Sequence, residues 1–144
     1  MSSVKIDVAF ARVDVRAMHE LDIPVVAAIE KAAYQFPWSE GIFRDCLRVG
    51  YVCRIIDVAG DVGGYGIMSV GAGEAHILNV CVRDEYRSRG FARKMMLYLL
   101  ERARSAGMSE AFLEVRPSNV AAARLYHSLE IGRASCRERV CMLV

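Results

Sequence analysis

The stretch that most constrains the fold is residues 75–115, where a β-rich run, an amphipathic helix and a second β-rich run follow one another. "AHILNVCV" is mostly apolar, as expected of a central strand. In "ARKMMLYLLERARSAG" apolar side chains recur every three to four residues, and Gly107 predicts the helix end. "SEAFLEV" predicts another strand. Such a unit folds as a right-handed crossover between parallel strands, so we predict an α+β or mixed α/β class: a twisted sheet with helices on both faces.

The preceding sequence predicts two helices and a hairpin. "LDIPVVAAIEKAAY" contains two helix-start signals, Asp22 and Pro24, and spaces its apolar residues as a helix does. Ser39 is expected to cap a second helix that runs to about Arg48. "YVCRIIDVAGDVGGYGIMSVG" predicts two strands joined by a turn near Gly60. The predicted order is therefore α, α, β-hairpin, β, α, β, α.

Length and composition narrow the class of protein. The chain has 144 residues, 54% hydrophobic and 25% charged, which fits one globular domain. No apolar run reaches the ~18 residues of a membrane span, and the N-terminus lacks the features of a signal peptide, so we expect a cytoplasmic protein. The net charge is only +2, and the three arginines and one glutamate that follow residue 130 account for it. We therefore expect no direct nucleic-acid binding, no membrane binding and a monomer.

Cysteine and histidine spacing gives no metal site. The three cysteines before the last fifteen residues lack ligand spacing and lie among apolar neighbours, so they are predicted to be reduced structural thiols: Cys46, Cys53 and Cys81. An acyl-carrier role for Cys81 is disfavoured, because reactive cysteines lie in exposed, electropositive sites. The three histidines are far apart in sequence: His19, His76 and His127. We predict no metal.

An arginine-rich turn follows the central strand in "NVCVRDEYRSRGFARKM". Unpaired N–H groups at a helix N-terminus favour an anion, and a glycine such as Gly90 lets the backbone approach an oxyanion closely. Arg87, Arg89 and Arg93 add cations around the turn, and Ala92 is small. The pattern is neither a Walker loop nor a dinucleotide fingerprint. Taken alone, it fits either a pyrophosphate cradle or a solvated loop between strand and helix.

In context, the order strand, Arg-x-x-Gly-x-Ala turn, helix, strand, Asn and Tyr-bearing helix resembles the GNAT N-acetyltransferase superfamily. "AAYQFPWSEGIF", "ILNVCV" and "FLEVRPSNVAAARLYHSL" resemble the RimI-type alanine N-acetyltransferases more closely. These enzymes acetylate the N-terminus of a small-subunit ribosomal protein. The likeness covers roughly residues 8–129 in order. It implies a GNAT-like sheet, acetyl-CoA as the acetyl donor and a ribosomal-protein N-terminus as the partner.

The resemblance also implies which residues hold acetyl-CoA. In the family the turn binds pyrophosphate, and the central strand pairs with the pantetheine arm. An asparagine contacts the arm as well, although here it could equally be a helix N-cap. The implied residues are Val80, Cys81, Val82, Arg87, Ser88, Arg89, Gly90, Phe91, Ala92, Arg93 and Asn119.

Two residues match the acid–base pair of the family. By resemblance Glu114 is the general base that deprotonates the amine, and Tyr126 is the general acid for the leaving thiolate. The residues alone leave other interpretations open. Glu114 fits an ion pair with Arg116 or Arg124, or exposure at a strand end, and Tyr126 fits an aromatic core position.

An aromatic loop precedes the second helix. Phe36 and Trp38 could pack under the sheet, whereas the resemblance implies that Phe36, Pro37 and Trp38 form one wall of a peptide groove. The sequence keeps two rival functions open beside N-terminal alanine acetylation. One is a GNAT enzyme that acts on another amine, such as lysine or a small molecule. The other is an acyl-CoA-binding domain without turnover.

The resemblance stops at Leu129, so residues 1–129 are predicted to form the acetyltransferase domain. The family continues with a glycine-capped helix and two strands, whereas "GRASCRER" shows neither strand alternation nor a hairpin turn. "EIGRASCRERV" resembles the in-frame translation of a sequencing adapter, and we predict that residues 130–144 are a non-native tail. The domain would then be incomplete, with its last two strands missing and the edge of the Glu114 strand unpaired. We therefore expect poor solubility and weak activity.

Overall fold

The computed structural model describes residues 12–114, 132–133 and 139–143, with side chains for residues 12–113. Its helices are α1 Ile23–Ala33, α2 Glu40–Arg48 and α3 Phe91–Ser105. Its strands are β1 Val13–Ala17, β2 Val52–Val58, β3 Asp61–Gly71, β4 Glu74–Val82, β5 Glu110–Glu114, β6 Gly132–Arg133 and β7 Arg139–Leu143.

The predicted boundaries of the first three helices are confirmed, and their capping residues explain them, whereas the fourth predicted helix lies outside the described residues. The Ser39 hydroxyl accepts a hydrogen bond from the Ile42 backbone N–H (3.3 Å), which caps α2. Pro24 lies in the first turn of α1, where its missing N–H costs nothing. Gly107 follows α3 with φ +82°, a left-handed conformation that ends helices.

All seven strands form one sheet in the order β1-β2-β3-β4-β5-β7-β6. β1 to β4 are antiparallel neighbours, and β4 pairs with β5 in parallel through α3. The predicted crossover is therefore present, and β4 is the central strand. β1 was missed, although Val13 and Val15 alternate with charged residues as a half-buried edge strand requires.

The prediction that the edge of β5 would lack a partner strand is wrong. β7 pairs with β5 in antiparallel orientation, with Glu114 opposite Arg139, and β6 pairs with β7. The edge of a strand presents a row of backbone donors and acceptors that another segment can pair with, whatever that segment's side chains. The origin of residues 130–144 stays a prediction.

Helices cover both faces of the sheet, as predicted. α3 closes one face with an apolar cluster that includes Met95, Met96 and Leu99, each 0% exposed. α1 and α2 close the other face with a cluster that includes Phe43 and Tyr65, each also 0% exposed. These two clusters pack against both faces of the central strands, and they thereby set the position of the end of β4 and of the turn that follows it.

Candidate active site

The predicted donor-site residues that the structure describes lie on the last residues of β4 and on the turn that leads from it into α3, next to the carboxyl end of β5. The β4–β5 ladder joins residues 74–77 to residues 110–113, and β4 then continues to Val82. Among the described residues, 79–82 therefore pair with a strand on one side only, that of β3. An open strand edge offers N–H and C=O groups with which an extended ligand can pair.

A bulge at Leu78 decides which side chains of β4 face which helices. Ile67 pairs with Asn79 and Met68 pairs with Ile77, so Leu78 is an extra residue. The bulge shifts the alternation, because Ile77 packs in the α3 cluster whereas the residue four further on packs in the opposite cluster. Asn79 is thereby turned toward α1 at the point where β4 separates from β5.

Two backbone carbonyls of β4 point away from β3 at this edge. The Val80 oxygen accepts a hydrogen bond from the Tyr34 hydroxyl (3.4 Å), and the Val82 oxygen accepts one from Arg87 Nε (3.3 Å). The N–H of Arg83 donates to β3 instead, at 2.7 Å. Since successive residues of a strand alternate in direction, Val80 and Val82 present their backbone to the open edge.

The arginine-rich turn has an unusual backbone. A 3₁₀ turn at Asp84–Tyr86 follows β4, and two residues then take left-handed conformations, Ser88 with φ 61° and Gly90 with φ 80°. A Cβ added at Gly90 would meet no atom within 4 Å, so the backbone conformation is what favours glycine there. α3 begins at the next residue without a side-chain cap. Its first N–H groups and the positive end of its dipole therefore face the turn.

The arginines of the turn are exposed to solvent: Arg87, Arg89 and Arg93. Arg87 forms one ion pair, with Asp84 at 3.7 Å, and both side chains are more than half exposed. Ion pairs of this kind contribute little, so the guanidinium can turn toward an anion at small cost. The Phe91 ring is buried, so this residue can offer a ligand only its backbone.

A cleft of about 810 Å³ lies between α1 and the segment that leads from β4 into the turn. Ala28 and Ala32 line it on the helix side, and Val82 lines it on the other side beside two arginines and two carboxylates, which are Arg83, Arg87, Asp84 and Glu85. The small apolar side chains suit the apolar arm of a ligand, and the charged side chains of the cleft balance in number.

The aromatic loop divides between core and solvent. The Trp38 ring lies 5.4 Å from the Phe43 ring, at the border of the α1/α2 cluster. Phe36 is 80% exposed, and Pro37 is exposed as well. Packing under the sheet therefore holds in part for Trp38 and is wrong for Phe36, whose ring remains accessible to a ligand.

A buried carboxylate on α1, not predicted from the sequence, lies beside the end of β4. Glu30 is 0% exposed, and its Oε1 accepts hydrogen bonds from the Tyr65 hydroxyl (2.6 Å) and from Asn79 Nδ2 (2.9 Å). Its Oε2 accepts from the Trp38 backbone N–H (2.8 Å).

The sequence does contain a signal for this burial. Glu30 follows buried Ile23 by seven positions and buried Val26 by four, so all three lie on one face of α1.

The three predicted structural thiols are buried and reduced, as expected. Burial raises the pKa of Cys81 and of Cys46, and it raises the pKa of Cys53 to about 11. A thiol that holds its proton is a poor nucleophile. This supports the view that Cys81 does not carry the acyl group.

Glu114 is the last residue of β5, beside the open edge of β4. Its side chain lies outside the described residues, as do Asn119 and Tyr126. Their catalytic and binding roles therefore stay predictions.

Among the described residues, no three histidine, cysteine or carboxylate side chains converge as metal ligands would. Within the same residues, every helix falls short of the length and apolar character needed to cross a bilayer.

Comparison with known proteins gives a family match. The model of the acetyltransferase (GNAT) family matches residues 14–130. An Escherichia coli protein named [ribosomal protein bS18]-alanine N-acetyltransferase is 31% identical over 85% of this chain and 83% of its own length. A Salmonella typhimurium protein of the same name is 32% identical over 81% of this chain and 78% of its own length.

Solved structures agree with the fold. The Escherichia coli ribosomal-protein-S18-alanine N-acetyltransferase superposes with a TM-score of 0.83 at 27% identity, covering 92% of this chain and 94% of that one. A Salmonella typhimurium acetyltransferase with bound acetyl-CoA gives a TM-score of 0.73 at 18% identity, over 92% and 94% of the two chains.

Proposed function

Because the chain belongs to the acetyltransferase (GNAT) family, we propose that it acetylates the N-terminal alanine of a small-subunit ribosomal protein. The acetyl donor is acetyl-CoA, and the α-amine attacks its thioester directly. The observation that carries the proposal is the open edge of β4, which leads directly into an exposed arginine turn at the start of α3.

This geometry suits acetyl-CoA because the donor has two unlike parts. The backbone of Val80 and Val82 offers hydrogen bonds to the amides of an extended pantetheine arm. The first N–H groups of α3, together with Arg87, Arg89 and Arg93, offer donors and positive charge to a pyrophosphate. The other members of the proposed donor site are Cys81, Ser88, Gly90, Phe91, Ala92 and Asn119.

The reaction needs two proton transfers. The amine nitrogen must lose a proton before its lone pair attacks the thioester carbonyl carbon, and Glu114 is the proposed base. The carbon–sulfur bond then breaks, and the thiolate leaves with its electron pair. Tyr126 is proposed to donate a hydrogen bond to this thiolate and then a proton, which yields an amide and free CoA.

The magnitudes favour an α-amine over a lysine. An α-amine has a pKa of about 8 and a lysine of about 10.4. Deprotonation at neutral pH therefore costs about 1 kcal/mol for the α-amine and about 4–5 kcal/mol for lysine. A single carboxylate such as Glu114 is better matched to the smaller cost, directly or through a relay water.

The Escherichia coli and Salmonella typhimurium relatives described above carry the name bS18-alanine N-acetyltransferase, which supports the choice of substrate. Phe36, Pro37 and Trp38 are proposed to form one wall of the peptide groove, because the Phe36 ring is exposed and the loop is bonded to the Val80 oxygen of β4 through Tyr34. We place the reaction in the cytoplasm, with a monomeric enzyme and no direct contact with nucleic acid or membrane.

The test of the catalytic pair uses Glu114→Gln and Tyr126→Phe. We expect kcat to fall by about 10²–10⁴-fold in each, because each variant removes a group that moves a proton. Glu110→Gln in the same strand and Tyr51→Phe on the surface are matched controls and should keep kcat within twofold. Undiminished turnover in both site variants would contradict the mechanism. A complete absence of turnover in the unaltered protein would favour the acyl-CoA-binding alternative.

The test of the substrate uses peptides that begin with Ala, Ser, Met or Lys. We expect the highest kcat/KM for the Ala peptide that carries the bS18 N-terminus. Equal rates on all four peptides would contradict the proposed specificity, and preference for a lysine side chain would favour the other-amine alternative.

A further inference from the structure

The buried carboxylate of Glu30 joins three separate elements. It belongs to α1, and it receives Tyr65 from β3, Asn79 from β4 and the backbone of Trp38 from the loop before α2. All three partners donate, so an acceptor-only carboxylate matches them. Burial of a carboxylate is costly unless such donors compensate it, which makes the geometry of the cluster stringent.

The two oxygens of Glu30 have different partners. Oε1 faces the sheet, where it holds Tyr65 and Asn79, and Oε2 faces the loop, where it holds the N–H of Trp38. The sheet would still be held together without the second oxygen, because β3 and β4 pair on both sides of the Leu78 bulge. Of the three bonds described above, the Oε2 bond is the one that reaches the loop.

A chain of aromatic contacts also links the sheet to the loop. The Tyr65 ring meets Phe43 edge-on at 5.5 Å, and Phe43 meets the Trp38 ring at 5.4 Å. The loop is thus fixed at its backbone by Glu30 and at its indole by Phe43. Phe36 lies two residues before Trp38 and is 80% exposed, so the position of its backbone depends on this anchor.

The loop is also fixed to the edge of β4 at its other end. The Tyr34 hydroxyl donates to the Val80 oxygen (3.4 Å), and the next residue back along the strand, Asn79, is a Glu30 partner. The position of the loop is therefore set relative to the strand edge at which the donor is proposed to bind.

We propose that Glu30 is a positioning residue that fixes the 34–38 loop against β4 and so sets the affinity for the acceptor peptide. The assignment of the loop to the acceptor rests on the proposed function. The reach of the Glu30 side chain matters as well as its charge, because one carboxylate must span from the sheet to the loop.

The kinetic test compares Glu30→Gln with Tyr65→Phe. In the Glu30→Gln variant the single amide oxygen is expected to stay with its two sheet donors, which leaves an NH₂ group against the Trp38 N–H. We expect the KM for the acceptor peptide to rise about tenfold, as for loss of one charge-assisted hydrogen bond, with the KM for acetyl-CoA within twofold. Tyr65→Phe also removes one donor from the carboxylate but leaves the loop bond, so its peptide KM should stay within twofold.

Glu30→Asp separates reach from charge. It keeps the carboxylate and shortens the side chain by one methylene, so it cannot hold the sheet and the loop at once. We expect a rise in peptide KM similar to that of Glu30→Gln. A peptide KM that is unchanged in both Glu30 variants, or that moves equally in Tyr65→Phe, would overturn the proposal.

Amide hydrogen exchange tests the anchor without turnover. In the unaltered protein the Trp38 N–H should exchange as slowly as the amides of β4, and its exchange should be more than tenfold faster in the Glu30 variants that fold. Exchange of this amide at the rate of a solvent-exposed loop in the unaltered protein would overturn the proposal even if neither variant folds. If no amine acceptor is found, the proposed function fails, and this measurement still decides the role of Glu30.

Discussion

The face of the sheet covered by α3 and the face covered by α1 and α2 are both closed by buried side chains, but their chemistry differs. The α3 face consists of apolar residues such as Met95, Met96 and Leu99, with Tyr86 at its border. The α1/α2 face contains both buried polar side chains of the described residues, Glu30 and Asn79. It also contains the three described thiols.

This difference in chemistry suggests that the α3 face contributes mainly to stability and the α1/α2 face to function as well. Apolar packing tolerates modest changes of shape and depends little on direction, whereas a buried carboxylate with three donors permits one arrangement. The face next to the proposed peptide loop is the one with directional contacts. We therefore expect changes on the α3 face to alter unfolding, and changes on the α1/α2 face to alter kinetic constants as well.

The largest effect is expected for Leu99→Ala on the α3 face. Leu99 is 0% exposed, and the cavity left by truncation should lower the free energy of unfolding by about 3–5 kcal/mol. Urea unfolding measures this loss. Leu97→Ala is the matched control in the same helix, because Leu97 is 50% exposed and its truncation should cost less than about 1 kcal/mol.

Below the unfolding temperature of Leu99→Ala, the KM for the acceptor peptide and the KM for acetyl-CoA should equal those of the unaltered protein. A changed peptide KM in this variant would contradict the separation of the two faces.

Two glycines of β3 sharpen the comparison, because the same added methyl meets different atoms. At Gly64 a Cβ would lie 2.5 Å from the Cys81 carbonyl oxygen, whereas at Gly66 it would lie 2.7 Å from Met95 Cγ. Backbone must move in the first case, and a flexible side chain can move in the second. Gly64→Ala should cost about 2–3 kcal/mol and Gly66→Ala about 1 kcal/mol.

The Gly64 variant should also raise the KM for acetyl-CoA, because Cys81 lies in the part of β4 that forms the open edge. The Gly66 variant should leave it unchanged. Equal acetyl-CoA KM values in the two variants would argue against donor binding along this edge.

Much of the fold could be predicted from local signals. The Ser39 cap, Pro24 and the apolar spacing of α3 each set an element boundary within a few residues. β1 was missed because a short edge strand with two charges resembles a polar terminus. β7 was missed because pairing with the edge of β5 depends on backbone groups, which the side-chain pattern of the tail does not reveal.

The site was less predictable. The sequence placed the turn and the end of β4 correctly but gave no sign that a bulge at Leu78 turns Asn79 toward α1. Glu30 was missed because a glutamate in an amphipathic helix is usually solvated. Only its helical phase, which matches Ile23 and Val26, marked it as buried, and its three donors come from elements that the sequence does not bring together.

The thiols predict an alkaline instability that belongs to the α1/α2 face. Burial raises the pKa of Cys53 to about 11, against about 8.5 for an unfolded chain. The stability that results is present below the unfolded pKa and is lost as pH rises toward 11, by up to about 3 kcal/mol. Urea unfolding from pH 8 to 10.5 should show a smaller decline in Cys53→Ala. Parallel curves for the two proteins would contradict this assignment.

The smallest effect is expected at acid pH, at the rim of the same face. Arg16 bonds Asp22 (2.8 Å) and Asp57 (2.9 Å), and these hydrogen bonds lower the pKa of both carboxyls. A lowered pKa contributes stability above the unfolded value of about 3.9, and this stability is lost as pH falls through the folded value. Arg16→Met should therefore cost about 1 kcal/mol at neutral pH and progressively less below pH 4.

Arg12→Met is the matched control, because the Arg12 side chain is 86% exposed in its pair with Asp14. Its unfolding free energy should follow that of the unaltered protein at every pH. If the Arg16 variant were destabilised equally at pH 3 and pH 7, the loss would reflect packing of the arginine stem between β1 and α1 rather than its charge, since only the charge contribution depends on the protonation of its partners.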